Sequence, residues 1–156
     1  MKKLAVLVAI LTIVGAAYAA IAPFGPDEEK IINQFKVERT LAVPYDIAVL
    51  GGTSGATYSL GKQLPAGAVI TQSWVYVNTV VSGTGTIAFT CEDAGNIKAA
   101  AQYNTASAGS LIAGASTGAA SAFGSGIADT CEVSATVASS AVANGKLTAF
   151  IRYIVP

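Results

Sequence analysis

From Leu41 onward, apolar and polar side chains alternate with a period of two, and clusters of Gly, Ser and Asn interrupt the alternation at short intervals. A period of two predicts strands, because successive side chains of a strand point to opposite faces. The clearest predicted strand covers residues 69–78 and places Ile70, Trp74 and Tyr76 on one side. Breakers at this spacing are typical of short antiparallel strands.

Two hairpins are predicted from the turns that separate these strands. The Ser-Gly-Thr-Gly turn at 82–85 leads into a returning strand, so residues 69–91 are predicted to form the first hairpin. The returning strand carries apolar side chains on one face, namely Ile87, Phe89 and Cys91. Near the C-terminus, the alternating segment 131–137 precedes Asn144-Gly145, the strongest short hairpin signal, and the final strand at 147–155.

The final strand is apolar on both faces of its second half. This predicts a central strand, or an outer face that another subunit covers. Residues 99–128 are rich in Ala, Gly and Ser, which suits either a long connection with one or two weak strands or an adaptable contact loop. The pattern as a whole predicts an all-β fold, an antiparallel β-sandwich or jelly roll of about eight strands, preceded by an N-terminal hydrophobic leader helix.

The N-terminus has the three parts of a secretory signal peptide. Lys2 and Lys3 precede an apolar run, and Ala17-Tyr18-Ala19 supplies a cleavage pattern. A retained anchor is the alternative, because residues 4–22 just reach the length that spans a bilayer, and membrane contact is expected only through this segment if it is uncleaved. We therefore expect a signal peptide or membrane anchor at 1–20, a charged N-terminal arm at 21–39 and a β-sandwich domain at 40–156.

Composition limits the chemistry open to this chain. Its 156 residues include nine Lys plus Arg, nine Asp plus Glu and no His. The basic residues are spread from Lys2 to Arg152, so no patch suited to nucleic-acid phosphates is expected. Without imidazole, the chain lacks the commonest general base and metal ligand. We therefore expect a non-enzymatic protein with no catalytic or cofactor-binding residue and no nucleic-acid partner.

Cys91 and Cys131 are expected to form a disulfide, because an even number of cysteines in an exported chain is typical of structural bridges. Two buried free thiols are the alternative. A bond would draw together the four carboxylates that lie within two residues of a cysteine, which are Glu92, Asp93, Asp129 and Glu132. Like charges at close range favour a bound cation, and oxygen ligands on loops suit Ca²⁺. These four residues are therefore a candidate calcium site, with solvated loop charges as the alternative.

Five aromatic residues stand at strand positions, namely Trp74, Tyr76, Phe89, Phe150 and Tyr153. Aromatic side chains at alternate strand positions favour a place in the core, and a ligand-stacking cleft like that of a carbohydrate-binding module is the alternative. Arg152, also on the last strand, is expected to be either an ion-pair partner of Glu132 or Asp129 or an exposed strand charge.

Several segments of residues 40–156 resemble small virion structural proteins of bacteriophages. The likeness rests on packing and turn motifs: Leu-Gly-x-x-Leu-Pro-x-x-Ala-Val-Ile-Thr at 60–71, Trp-Val-Tyr-Val-Asn-Thr at 74–79, and Gly-Lys-Leu followed by Phe-x-x-Tyr within 145–153. The resemblance implies a jelly-roll-like subunit that decorates, cements or projects from a capsid, often as a trimer. It brings no catalytic residue with it.

On this basis we predict a self-associating structural subunit that is located in the virion or outside the cell, with capsid or surface-assembly proteins as partners. The export leader departs from this family and favours the alternative of a secreted cell-surface or extracellular filament subunit. A carbohydrate- or receptor-binding β-sandwich module is the second alternative, and it would use the aromatic residues named above.

Overall fold

The computed structural model describes residues 38–91, 93–114 and 126–155, with the backbone alone for residues 93–96. These residues form eight strands and one single-turn helix: β1 Arg39–Asp46, α1 Ile47–Leu50, β2 Thr57–Leu64, β3 Val69–Thr79, β4 Thr86–Cys91, β5 Asp93–Gln102, β6 Leu111–Ala113, β7 Cys131–Ala138 and β8 Lys146–Ile154. The predicted leader at 1–20 and most of the predicted arm at 21–39 lie outside the described residues.

The strands form two antiparallel four-stranded sheets. Sheet A has the order β1-β8-β3-β6, and sheet B has the order β2-β7-β4-β5. In this arrangement the chain passes from one sheet to the other at every connection except the one between β4 and β5, which is the strand order of a jelly roll. The predicted all-β sandwich of about eight strands is therefore confirmed, and β8 is a central strand as its two apolar faces indicated.

Both predicted hairpins are wrong. The strands at 69–79 and 86–91 belong to different sheets, and so do the strands at 131–138 and 146–154. The turn signals at 82–85 and Asn144-Gly145 do mark connections, but each connection crosses the sandwich. A crossing is favoured here because it places consecutive strands in opposite sheets. Their apolar faces then pack against each other across the core.

The core lies between the two sheets and is built from one face of each strand. Alternate residues of β4, β7 and β8 are buried as predicted, including Phe89, Val133 and Ile151, each fully inaccessible to solvent. Tyr45 and Tyr103 are the largest fully buried side chains. Residues 99–128, expected to hold few anchors, contribute Tyr103 and Ile127 to this core and form the three-residue strand β6.

A bulge in β3 changes which of its side chains face the core. The pairing with β8 shifts between Ile70 and Gln72, so Thr71 is an extra residue on β3. Ile70 and Val75 are therefore both buried, whereas Trp74 and Tyr76 lie half-buried on the outer side. The prediction that Ile70, Trp74 and Tyr76 share a face is wrong for this reason.

Three loops at one end of the sandwich, residues 47–56, 80–85 and 139–145, are joined by backbone hydrogen bonds. Val142 N–H donates to the Gly52 carbonyl at 2.8 Å, and Ser82 N–H donates to the Asn144 carbonyl at 3.0 Å. Close approach requires glycine, because a Cβ on Gly85 would lie 2.1 Å from the Ser140 carbonyl oxygen. We call these three loops the loop end of the domain.

At one side the two sheets are also joined by polar contacts. The hydroxyl of Ser73 on β3 is buried and donates to the Ile97 carbonyl of β5. The Lys98 ammonium donates to the Ala113 carbonyl of β6 at 2.8 Å. These bonds satisfy polar groups at the edge where the short strand β6 covers little of β3.

Candidate functional site

The outer face of sheet A is the most apolar exposed strand surface in the described residues. Cross-strand pairing places Ala42, Phe150, Trp74 and Ala113 in one row across β1, β8, β3 and β6. The next row consists of Pro44, Thr148, Tyr76 and Leu111. We call these two rows the aromatic face.

The outer face of sheet B has a different composition. Its cross-strand rows hold mainly small residues, with the larger polar side chains Gln63, Gln102 and Glu132 beside them. The small residues are Thr57, Ser59, Thr86, Ala88, Thr90, Ser134, Thr136 and Ala138. The hydroxyls of Thr57 and Thr136 are 2.9 Å apart and hydrogen-bonded. Aromatic side chains therefore face outward on only one of the two sheets within the described chain.

Trp74 is the centre of the aromatic face. Its ring and that of Phe150 are stacked, with centroids 5.7 Å apart and planes 16° from parallel. The Arg152 guanidinium lies over the indole at 5.6 Å from its centroid, a cation–π geometry. The interpretation of the aromatic residues as core is confirmed for Phe89 and Tyr153 and wrong for Trp74, Tyr76 and Phe150. The β3 bulge turns Trp74 and Tyr76 outward. Phe150 lies on the outer face because its neighbours Ala149 and Ile151 on β8 face the core.

Polar groups hold Arg152 in this position. Its Nε lies 3.6 Å from Oε2 of Glu38, and its Nη1 donates to Oε1 of Gln72 at 3.4 Å. The Thr71 hydroxyl donates to Oε1 of Glu38 at 2.8 Å, which fixes that carboxylate. Of the two alternatives for Arg152, the buried ion pair with Glu132 or Asp129 is wrong, because Arg152 lies on sheet A and pairs with Glu38 among the described residues. Arg152 is instead a partly exposed strand charge.

A hollow of about 380 Å³ opens beside Trp74 and is lined by Gln72, Ser73, Trp74, Leu111, Ala113 and Arg152. Leu111 is 65% exposed, so the hollow has an apolar rim on the β6 side. The sequence contained one signal for this surface, the apolar outer positions of the last strand.

A second hollow of about 280 Å³ lies towards the opposite end of the same sheet, next to Asp46 and Lys146. Oδ2 of Asp46 and Nζ of Lys146 are 2.7 Å apart. The hydrogen bond from Lys146 lowers the pKa of the Asp46 carboxyl below its usual range. Asp46 also caps α1, since its Oδ1 accepts a hydrogen bond from the Ala48 N–H at 3.2 Å.

The loop end carries exposed aliphatic side chains that no sequence pattern indicated. Val49 is 77% exposed and Leu50 is 42% exposed, both on α1, and Val80 is 41% exposed on the neighbouring loop. No periodic signal marks them, because α1 is a single turn and Val80 lies in a connection.

The predicted disulfide is present. Cys91 at the end of β4 is bonded to Cys131 at the start of β7, with their Cα atoms 5.7 Å apart. Because β4 and β7 are neighbours in sheet B, the bond joins adjacent strands of one sheet. The alternative of two free thiols is excluded, since the described residues contain no free cysteine.

The candidate calcium site stays a prediction. Glu92 lies outside the described residues, as does the side chain of Asp93. The Glu132 carboxylate accepts hydrogen bonds from the Ser59 hydroxyl and, at 3.0 Å, from the Gly61 N–H. Where side chains are described, no group of three or more His, Cys, Asp or Glu is placed to hold a metal ion. Asp129 also takes part in at least one polar or electrostatic interaction.

Within the described ranges, no helix has the length and apolar character needed to cross a bilayer.

No protein-family model matches this chain, and no curated protein matches it. Solved structures do. A chain in the capsid of Ralstonia phage GP4 is similar with a TM-score of 0.52 and 20% identity, over 76% of this chain and 85% of that chain. A chain in the capsid asymmetric unit of cyanophage Pam1 is similar with a TM-score of 0.52 and 19% identity, over 86% of this chain and 91% of that chain. The described residues thus have the fold of chains found in phage capsids, and the resemblance to small virion structural proteins is confirmed at the level of the fold.

Proposed function

We propose that this chain is a structural subunit of a bacteriophage virion. The observation that carries the proposal is the shared fold: the likeness to the Ralstonia phage GP4 and cyanophage Pam1 capsid chains extends over 85% and 91% of those chains. A likeness over most of both chains relates whole domains, not an isolated motif. Fold alone does not determine function, so the proposal also needs surfaces suited to assembly.

Such a surface is available at the loop end, which presents Val49, Leu50 and Val80 outward. Aliphatic groups that remain exposed on hydrogen-bonded loops are groups that bury well against a neighbouring subunit. These groups support the proposal that the chain is a decoration, cement or spike protein that associates with copies of itself and with other capsid proteins.

The proposed role is non-enzymatic. The sequence contains no His, and the loop end is a contact surface rather than a set of proton donors and acceptors. The work of such a subunit is done by shape and by many simultaneous weak contacts, which together hold a subunit on a shell far more tightly than any one contact would.

Particle association tests this function. Virus particles from a culture that carries the gene are purified on a density gradient, and the protein is located in the fractions by peptide mass spectrometry. We expect the protein to sediment with the particles and with the major shell protein. Recovery in cell-envelope or filament fractions that contain no particles would overturn the proposal in favour of a secreted surface or filament subunit.

The same material gives the mature N-terminus and the state of association. Mass spectrometry of the intact chain shows whether residues 1–20 are present. Light scattering of the purified protein is expected to give a multiple of the chain mass, and about three times 15.6 kDa for a trimer of uncleaved chains. A mass equal to one chain at all concentrations would contradict self-association while leaving capsid binding to be judged by the gradient.

A further inference from the structure

The hollow beside Trp74 has a specific origin in the cross-strand row. Phe150 on β8 and Ala113 on β6 are the two direct neighbours of Trp74 in that row. Phe150 stacks on the indole, whereas Ala113 carries only a methyl group. Among the described residues, no side chain fills the space beside the indole on the β6 side, and Leu111 also lines it.

The polar groups at this hollow offer both donors and acceptors. Arg152 and Gln72 line it, and the Glu38 carboxylate stands next to the guanidinium. A guanidinium has five N–H donors, of which the bonds to Gln72 and Glu38 use a part, and the Gln72 amide nitrogen adds two more. The positive charge of Arg152 is balanced by Glu38, so the site favours neither an anion nor a cation.

We propose that this hollow binds a pyranose ring of a neutral glycan. The C–H face of such a ring is apolar and packs on an indole. Each of its hydroxyls can accept a hydrogen bond from Arg152 or Gln72 and can donate one to the adjacent Glu38 carboxylate. A volume of about 380 Å³ is at the lower end of small-molecule sites and suits one sugar ring with part of a second. The walls combine apolar groups with a few convergent polar ones, which is typical of ligand pockets.

The single tryptophan of the chain is the reporter for this site, because Trp74 is the one Trp among the 156 residues. Purified full chain is titrated with neutral tetrasaccharides of glucose, galactose or N-acetylglucosamine while its fluorescence is recorded. The titration extends to about 10 mM, where a ligand with a Kd near 1 mM fills about nine-tenths of the sites. We expect at least one of these probes to shift or quench the emission in a saturable way.

Two matched variants test the location. Ala113→Leu fills the open side of the indole and removes no polar side chain, so it should weaken sugar binding by at least about tenfold, or 1.4 kcal/mol. Ala42→Leu makes the same change in the same row but on the far side of Phe150, so it should bind like the unmodified chain. Because Ala42→Leu keeps the hollow, equal loss in both variants would overturn the assignment.

Two further results would also overturn it. One is an emission spectrum that no probe changes. The other is emission that changes with protein concentration instead of with sugar, because that behaviour would make the aromatic face an interface between copies of this chain. Neither result affects the virion proposal, which is judged by particle association, so the two failures are distinguishable.

Discussion

Tyr45 is a buried tyrosine with a tight hydrogen bond, since its hydroxyl donates to the Gly51 carbonyl oxygen at 2.6 Å. Burial, with a smaller contribution from the nearby Tyr58, raises the pKa of Tyr45 from 10.0 to about 12. The folded state therefore holds this proton more tightly than the unfolded state does. Tyr45 stabilises the fold fully below pH 10, and this contribution is lost as the pH rises through 12.

We expect the melting temperature to fall as the pH is raised from 10 to 12, and this fall to be shallower in Tyr45→Phe. The measurement is a series of thermal melts across that range. An equally steep fall in the variant would contradict the assignment to Tyr45. Burial also raises the pKa of Tyr103, so the variant is expected to keep part of the dependence.

Tyr103 provides a contrast at neutral pH. Its hydroxyl is buried and has no hydrogen-bond partner among the described residues, whereas that of Tyr45 has one. Tyr45→Phe removes a hydrogen bond and is expected to lower the free energy of unfolding by about 1 kcal/mol. Tyr103→Phe removes a buried polar group without a partner, so it should be neutral or stabilising. Urea titration of both variants checks this order, and a larger loss for Tyr103→Phe would contradict it.

Among the elements, the loop end depends on glycine for a steric reason. Gly85 has no left-handed backbone requirement, but a Cβ there would lie 2.1 Å from the Ser140 carbonyl oxygen. Gly55 is the matched control, because its φ is +82° and nothing lies within 4 Å of its Cβ position. We expect Gly85→Ala to lower the free energy of unfolding by about 3 kcal/mol through overpacking, and Gly55→Ala to cost about 1 kcal/mol through backbone strain alone. Denaturant titration measures the free energy of unfolding of both variants. Equal losses would contradict a steric role for the Ser140 carbonyl oxygen next to Gly85.

The disulfide acts on the pair β4 and β7. It joins residues 40 apart in sequence. Closing a loop of this size lowers the entropy of the unfolded state, which raises its free energy by about 4 kcal/mol. The double variant Cys91→Ala with Cys131→Ala should therefore be less stable by about that amount. A reducing agent should lower the melting temperature of the unmodified chain and leave that of the double variant unchanged. No change on reduction of the unmodified chain would contradict a stabilising bond.

For the whole molecule, the described β-sandwich is expected to fold without the residues before it. Among the described residues, the buried core runs from Val43 to Tyr153, with Leu41 packed against it. A chain of residues 38–156 should therefore keep the circular dichroism spectrum and melting temperature of the full chain. We predict that the charged arm at 21–39 reaches a neighbouring copy and mediates self-association, so sedimentation should show the shortened chain as a single copy. An unimpaired oligomer would contradict the arm's role, and an unfolded product would contradict the domain boundary.

Much of this molecule could be predicted because the information is local. A period of two identifies β4, β7 and β8 with their buried faces, and Gly or Asn-Gly marks where strands end. The aromatic face could not be predicted in the same way. One extra residue, Thr71, places Trp74 and Tyr76 on the outer face instead of on the core face with Ile70, and no local pattern shows that β3 has a bulge there.

The sequence by itself determined that this protein is a β-sandwich and favoured a disulfide, since side-chain alternation and turn residues act within a few residues of the chain and the two cysteines follow from composition. Only the tertiary structure decided that each turn at 82–85 and 139–145 crosses between sheets, and that Trp74, Phe150, Gln72 and Arg152 meet on one surface. The physical reason is that strand pairing joins residues far apart in the chain. Which strands pair with each other depends on the total apolar surface that the two sheets bury together.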